Sequence, residues 1–444
     1  MSELDLHQDA EAIFRAALSA ADPHRLLLSN SLVEGHRWSY RGEQVVVSWD
    51  LPASRAAGRV LVLGAGKAAA SLALALEESL GDRITAGRIV VKHGHGLPLK
   101  RIVIEEGGHP LPDDGGLAGT VRLVADLQDT RPEDRVFFLL TGGASALLVA
   151  PAPGLTLEDK IATTRLLLGC GATIQEVNAL RKHLSAVKGG RLAEHIHPAQ
   201  AMTLIVSDVV GDDLASIGSG PTVPDPSTFA ECREILDRYD LSDRIPDAVR
   251  QRLTAGMEGR VPETPKPGLP LFQGLRWLIL ASNRHSLGAA GEASSRLGYR
   301  PEIFGYDLVG DTHVRARAFA SRLVELSGRG PTALLAGGET TLRVKGKGKG
   351  GRNQEFALVA APEIEGRKDV LILSAGTDGT DGPTDAAGAF VDGATLARAR
   401  SLGLDPEAFL RDNDAYTFFD KLGDLLRTGP TGTNVMDLMV GLTA

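Results

Sequence analysis

Several side chains in this sequence stand where they can handle an anion. Lys67 follows Gly64-Ala65-Gly66 directly after an apolar run, and Arg352 follows the basic, glycine-dense stretch Gly346-Lys347-Gly348-Lys349-Gly350-Gly351. Backbone N–H groups in such a loop can approach an anion closely, and a helix N-terminus just beyond it favours negative charge. The stretch 335–358 therefore reads as an anion loop. Glu339 precedes it, and Arg352, Asn353, Gln354 and Glu355 open the helix that follows. Its glycines suit a jaw that moves. A second cationic surface is read on a helix over 174–188, where Asn178, Arg181, Ser185 and Lys188 share one face and Val177, Leu180, Leu184 and Val187 another.

Carboxylates on loops after apolar runs supply the other ingredient. They occur in Ser207-Asp208…Asp212-Asp213 and in Thr377-Asp378-Gly379-Thr380-Asp381. Mg²⁺ takes one or two carboxylates together with phosphate oxygens and water, which this supply fits, although any single Asp also suits an Asx turn. Cationic loops, hydroxyls and strand-end carboxylates are the parts needed for phosphoryl transfer, which depends on positioning and charge neutralisation.

Other chemistries fit less well. Gly64-x-Gly66-x-x-Ala69 matches a relaxed dinucleotide fingerprint, but Lys92 and His93 stand where an acid would hold the ribose of NAD. No Walker A sequence follows a strand, which excludes a P-loop kinase. Thr141-Gly142-Gly143-Ala144-Ser145 lacks the nucleophile-elbow spacing, so Ser145 is read as a hydroxyl or cap at an anion-binding turn. His183 reads as structural, and Cys170 and Cys232 read as incidental thiols in helices, not as a disulfide framework or a zinc site.

The elements that must position these groups alternate. Short apolar runs over 59–63, 88–92, 102–105, 136–140, 202–206, 277–281, 301–306, 332–335 and 370–373 alternate with helical patterns. The fold class is α/β, with two α/β/α domains and mainly parallel sheets, the N-terminal one Rossmann-like. Nearly every run ends in a glycine-plus-polar cluster, and ligands of open α/β sheets bind at the carboxyl ends of strands. A helix is expected over about 9–29, ending near Pro23 or shortly after it, and Thr156-x-x-Asp159 reads as a capping box. The proline-rich segment 261–270 is the expected linker, giving domains over 1–260 and 270–444.

At 444 residues, two or three domains are expected, and 43% hydrophobic with 23% charged residues is a globular composition. The net charge of −8 argues against a general nucleic-acid partner. With no apolar run of membrane-spanning length and an acidic amphipathic N-terminus, the expectation is a cytoplasmic protein.

The ordered motifs LGAGKAAA, GGHPLPDD, TGGASALL, NALRKHLSAVKGGRLA, SDVVGDDLASIGSGPTVPDP, GGETTLRVKGKGKGGRNQEFAL, AGTDGTDGPTDAAGAFVDG and GPTGTNVMDL together resemble the class II glycerate 2-kinases. In these, a Rossmann-like domain precedes a MOFRL domain, and the family also carries an older hydroxypyruvate reductase label. The resemblance implies ATP- and Mg²⁺-dependent phosphorylation of D-glycerate at O2, giving 2-phosphoglycerate in an interdomain cleft. It also implies catalytic importance for Lys67 and Arg352. Departures are mild, with TGGAS for SGGGS and GGHPLPDD for AGHPVPDE.

The expected roles follow from both readings. Lys67 and Arg352 neutralise the transferred phosphoryl group. Asp208, Asp378 or Asp381 holds Mg²⁺ or takes the hydroxyl proton, with Asp208 placed as the catalytic residue and Asp378 and Asp381 as the metal ligands, and Arg181 or Lys188 clamps the glycerate carboxylate. Gly64, Gly66, Ser145, Glu339, Lys347, Gly350, Asn353 and Glu355 complete the substrate and nucleotide contacts. The partners are small molecules, with no nucleic acid or membrane, and a homodimer is the assembly to test for. The alternatives are an NAD(P)H-dependent hydroxypyruvate reductase and a non-catalytic sugar-phosphate sensor.

Overall fold

The computed structural model describes residues 5–42 and 45–444. The chain divides into two compact units: Pro23–Leu280, and Ala281–Ala444 joined by the N-terminal segment up to Asp22.

The first unit opens with a small antiparallel sheet of β1 (Ser31–Glu34), β2 (Arg37–Arg41) and β3 (Val46–Asp50). Its main sheet holds β4 (Val60–Ala65), β5 (Ala86–Lys92), β6 (Ile102–Gly107), β7 (Arg135–Leu140), β8 (Gln200–Val206) and β9 (Leu275–Ala281). They lie in the order β6-β5-β4-β7-β8-β9. The pairs β4–β5, β4–β7, β5–β6 and β7–β8 are all parallel. Strand β4 is buried at every position, as a central parallel strand covered on both faces must be. Leu61, Leu63, Val136 and Phe138 pack with Leu123, Leu192 and Ile196 of two helices on one face. On the other face, Trp38 and Trp49 of the small sheet meet Phe137 edge-on, at centroid distances of 5.2 and 5.0 Å.

A separate helical core in this unit is built from Leu157–Gly169, Ile174–His183, Phe229–Arg238 and Asp247–Met257, around Leu180, Phe229, Leu236 and Leu253. The Thr156–Asp159 capping box forms as expected. Cys232 is buried in this core, and both cysteines are free thiols. The helix expected over 174–188 ends at His183, so Ser185 and Lys188 lie in the turn beyond it.

The second unit has a six-stranded sheet in the order β10-β11-β15-β12-β13-β14. The strands are β10 (Arg300–Asp311), β11 (Thr332–Thr341), β12 (Val370–Gly376), β13 (Gly388–Asp392), β14 (Leu425–Leu426) and β15 (Asp437–Thr443). Helices cover both faces. Phe319, Leu323, Phe356 and Leu358 pack against Leu334, Ile372 and Met439, whereas Ile13, Phe14, Leu287 and Ala290 pack against Leu335, Leu373 and Val440.

The α/β class holds in both units, but the second sheet is not mainly parallel. Only β10–β11 is parallel, because the last strand, β15, inserts antiparallel between β11 and β12 and a hairpin pairs β12 with β13. The last strand, β15, lies beyond the final apolar run expected at 370–373, and its seven residues are all buried.

The boundaries also differ from the expected 1–260 and 270–444. The helix expected over 9–29 is two helices, Leu6–Ala20 and Pro23–Asn30, with Pro23 at the first position of the second, where a missing N–H is harmless. The first buries Ala10, Ile13, Phe14 and Ala17 in the second unit's core, and Tyr299 Oη donates to Asp9 Oδ2 at 2.7 Å. At the other boundary, β9 lies beyond the proline-rich segment yet extends the first unit's sheet beside β8.

Candidate active site

In the first unit, β4, β7 and β8 are adjacent and parallel, so Gly64–Lys67, Thr141–Ser145 and Ser207-Asp208 emerge at one sheet edge, where α/β sheets bind ligands. The glycines permit close approach here. A Cβ on Gly64 would lie 2.4 Å from Leu139 O, and one on Gly66 (φ +135°) would lie 2.1 Å from Thr141 Oγ1. The two turns are then laced together: Lys67 N donates to Gly142 O at 2.8 Å and Ala68 N to Thr141 Oγ1 at 3.1 Å. The following helix begins at Ala69, so Lys67 precedes its first turn. A Cβ on Gly143 would touch both the Lys67 stem and the His109 ring, which places those two side chains together.

Ser145 Oγ lies 3.3 Å from Ser219 Oγ, which donates to Asn178 Oδ1 at 3.1 Å. Ser219 is in the left-handed region (φ 62°) between Gly218 and Gly220, which are both left-handed as well. This loop is pinned by its neighbour: Gly189 N and Gly190 N donate to Ser219 O and Gly220 O, and Lys188 Nζ donates to Gly218 O at 3.3 Å. The Asn178–Lys188 stripe therefore faces the 218–220 loop at two of its members. Lys188 is fully buried, and burial holds its ammonium well below its ordinary value, with repulsion from Lys160 and Arg181 adding to the effect. Asp208 is half-buried at the end of β8, and Asp213 is turned locally onto Ala215 N and Ser216 Oγ.

In the second unit the arrangement centres on Arg352, the first residue of the helix Arg352–Ile364. Its Nε and Nη2 donate to Asp437 Oδ2 and Oδ1 at 2.5 and 3.0 Å, and its Nη1 donates to Glu339 Oε1 at 2.7 Å. Glu339 lies within β11, which runs six residues beyond the expected strand end, and Asp437 opens β15. Burial opposes the Arg352 charge, but Asp437 and Glu339 more than offset it and hold the guanidinium above its ordinary value. A bidentate pair of this kind fixes the plane of the fork as well as its position.

The anion at this helix N-terminus is a side chain of the protein itself. Asp381 accepts from Asn353 N at 3.1 Å and Gln354 N at 2.8 Å, and a Cβ on Gly351 would lie 2.3 Å from its Cγ. Burial pushes the Asp381 carboxyl up to about 7, against the pull of those two N–H groups; Asp437 adds to the rise. Asn353 also accepts from Ser374 Oγ at 2.7 Å. Glu355 is buried against Asn413 Nδ2 at 2.9 Å and His313 Nε2 at 2.6 Å.

The glycine-lysine loop is also occupied internally. Lys345 N and Gly346 N donate to Asn413 Oδ1, Lys347 N to Asp412 Oδ1, Gly348 N to Asp412 O and Lys349 N to Asp414 Oδ1. A Cβ on Gly346 or Gly348 would lie 2.1 or 2.3 Å from the 412–414 segment, so these glycines serve close packing, not the expected motion. The Lys347 side chain is exposed, and Gly350 is half-buried beside Ala415. Asp378 is half-exposed, and its Oδ1 accepts from Thr380 N and Oγ1 in an Asx turn. Among the described residues, no group of three or more His, Cys, Asp or Glu side chains is arranged to hold a metal ion.

Sequence reasoning missed Asp437, Asn413, Ser219 and Lys160. For Asp437 the signal was an acid opening the last apolar run; the other three carry no local signature.

Residues 9–254 match the family described as a domain of unknown function (DUF4147), and residues 332–437 match the MOFRL family. The chain is 40% identical to glycerate 2-kinase of Pyrococcus horikoshii over 100% of this chain and 98% of that protein. It is 41% identical to D-glycerate 2-kinase of Thermotoga maritima over 86% of this chain and 90% of that protein. The crystal structure of glycerate kinase from Thermotoga maritima matches it with a TM-score of 0.84 at 38% identity, covering 99% of each chain. With both domains present in order and full-length similarity of this degree, the chain belongs to the class II glycerate kinase family.

Proposed function

We propose that this protein transfers the γ-phosphoryl group of ATP to O2 of D-glycerate. The observation that carries the proposal is the fixed Arg352 fork, with one edge locked by buried Asp437 and the other on partly exposed Glu339. A guanidinium held in place before reaction stabilises charge that develops in the transition state without reorganising. The names of full-length relatives supply the reaction class.

In this reading Lys67 and Arg352 neutralise the transferred phosphoryl group, and Asp208 accepts the proton of the 2-hydroxyl. Arg181 and Lys188 hold the glycerate carboxylate. Bound Mg²⁺ would neutralise phosphate charge, and of the two carboxylates expected to hold it only the half-exposed Asp378 fits. Asp381 is buried with both oxygens accepting N–H groups. Among the described residues no helix is long and apolar enough to cross a membrane.

The test is ADP release from ATP, Mg²⁺ and D-glycerate, compared with NADPH oxidation on hydroxypyruvate. The first is expected and the second is not. Arg352→Ala is expected to lower kcat by about 10²–10³; a variant with kcat near wild type removes the role given to Arg352.

A further inference from the structure

The first unit holds three neighbouring basic side chains, two of them buried, with no counter-charge among the described residues. Lys160 is 7% exposed and Lys188 1% exposed, and each ammonium donates one hydrogen bond, to Leu184 O at 2.9 Å and to Gly218 O at 3.3 Å. An ammonium carries three donors, so two on each are unmet among the described residues. Half-buried Arg181 lies one turn before Leu184 and makes no hydrogen bond or ion pair among the described residues. None of the three has a carboxylate within ion-pair distance among those residues. Burial without a counter-charge brings the Lys160 ammonium down to about 7 and holds that of Lys188 well below its ordinary value, so an anion bound beside these donors would favour charge that the described residues do not compensate. Helix capping explains part of Lys160, since Arg252 Nε likewise caps the same helix end through His183 O at 2.8 Å. It does not explain the charge at Lys188 or Arg181. The hydroxyl chain Ser145–Ser219–Asn178 runs alongside, because Ser219 follows the carbonyl that holds Lys188.

We propose that Lys160, Arg181 and Lys188 form one oxyanion site whose best ligand is a 2-phosphorylated hydroxy acid, with Lys160 supplying the third charge. The proposal rests on the kinase reading for the identity of its ligand. Glycerate offers one negative charge to three cations. 2-Phosphoglycerate offers a carboxylate and a phosphate on neighbouring atoms, so one compact cluster engages both. The site that orients the substrate then binds the product more tightly than the substrate.

Calorimetry on the full chain without nucleotide tests this. Wild type is expected to bind 2-phosphoglycerate more tightly than D-glycerate, with the steeper salt dependence for the former. Lys160→Gln keeps an N–H for Leu184 O but removes the charge. It is expected to weaken 2-phosphoglycerate about tenfold and glycerate far less, with Lys160→Arg restoring binding. Equal weakening of the two ligands, or none, overturns the proposal. If Lys160→Gln does not fold, the wild-type comparison decides, and equal affinities with equal salt response refute the site. Inorganic phosphate, titrated into wild type and Lys160→Gln, separates the site from the identity of its ligand. Phosphate bound by wild type and lost in Lys160→Gln, without ADP formation in the kinase assay, upholds the site and removes only the ligand's identity. Phosphate bound equally by both removes the site.

Discussion

Replacing Asp437 by Asn tests how the Arg352 fork is held. Asp437 is fully buried and takes two of the three hydrogen bonds that Arg352 makes to carboxylates. The amide keeps the volume and can accept from one guanidinium nitrogen, but its other end is a donor that faces a donor. One charge-assisted bond is lost, worth about 1.5–3 kcal/mol, and breaking a buried pair outright costs about 3–5 kcal/mol. Glu339 compensates little, because its side chain is 46% exposed and solvent screens it. The expected destabilisation is about 3 kcal/mol, which for a unit of this size lowers Tm by roughly 6–12 °C. Asp437 also helps raise the Asp381 carboxyl to about 7, so its neutralisation relieves a repulsion present only when Asp381 is ionised. Thermal unfolding is therefore expected to show a larger loss at pH 5.5 than at pH 8.5. With the fork unlocked, kcat is expected to fall by about 10² while the chain still folds, as an ångström-scale misplacement does. A variant with wild-type Tm and kcat, or a loss independent of pH, refutes the reasoning.

Asp381 itself has a pH signature. Its carboxyl is raised from 3.8 to about 7, so the folded state keeps a proton that the unfolded state releases between those values. The stabilisation is full below pH 3.8 and is lost as pH rises through 7, about 4 kcal/mol in all. Denaturation of wild type and Asp381→Asn across pH 4–8 is expected to show their stability difference changing by that amount; a constant difference contradicts it. Asn413→Ala removes the link between Glu355 and the backbone of Lys345 and Gly346 and strains a left-handed position (φ 54°). It is expected to cost about 3 kcal/mol and to speed hydrogen exchange over 345–349. Unchanged protection there means the loop is held by something else.

The first unit was largely legible in the sequence because parallel strands buried on both faces leave unmistakable apolar runs, such as Val60-Leu61-Val62-Leu63 and Val136–Leu140 of β7. The glycines at 64 and 66, expected to contact nucleotide or substrate, give the backbone its close approach to β7 and the turn after it, neighbours that come from long-range pairing. The second unit was less legible. Its sheet is completed by β15, whose seven residues look like a tail until a gap between β11 and β12 demands a strand.

The stretch 335–358 shows where local inference stops. Its glycines, lysines and helix start identify a place that wants negative charge, and that reading rests on backbone geometry and the helix dipole alone. Which anion satisfies each donor is a matter of chain segments far away in sequence. Asp381 occupies the helix N-terminus, residues 412–414 occupy the loop N–H groups, and Asp437 grips Arg352. Residue types and spacing by themselves determined the α/β class, the family resemblance, and Lys67 and Arg352 as the cations to watch. Only tertiary structure decided which cations are already paired with carboxylates within the protein and which, like Arg181 and Lys188, have no carboxylate partner among the described residues, because pairing depends on distances across elements that no local spacing encodes.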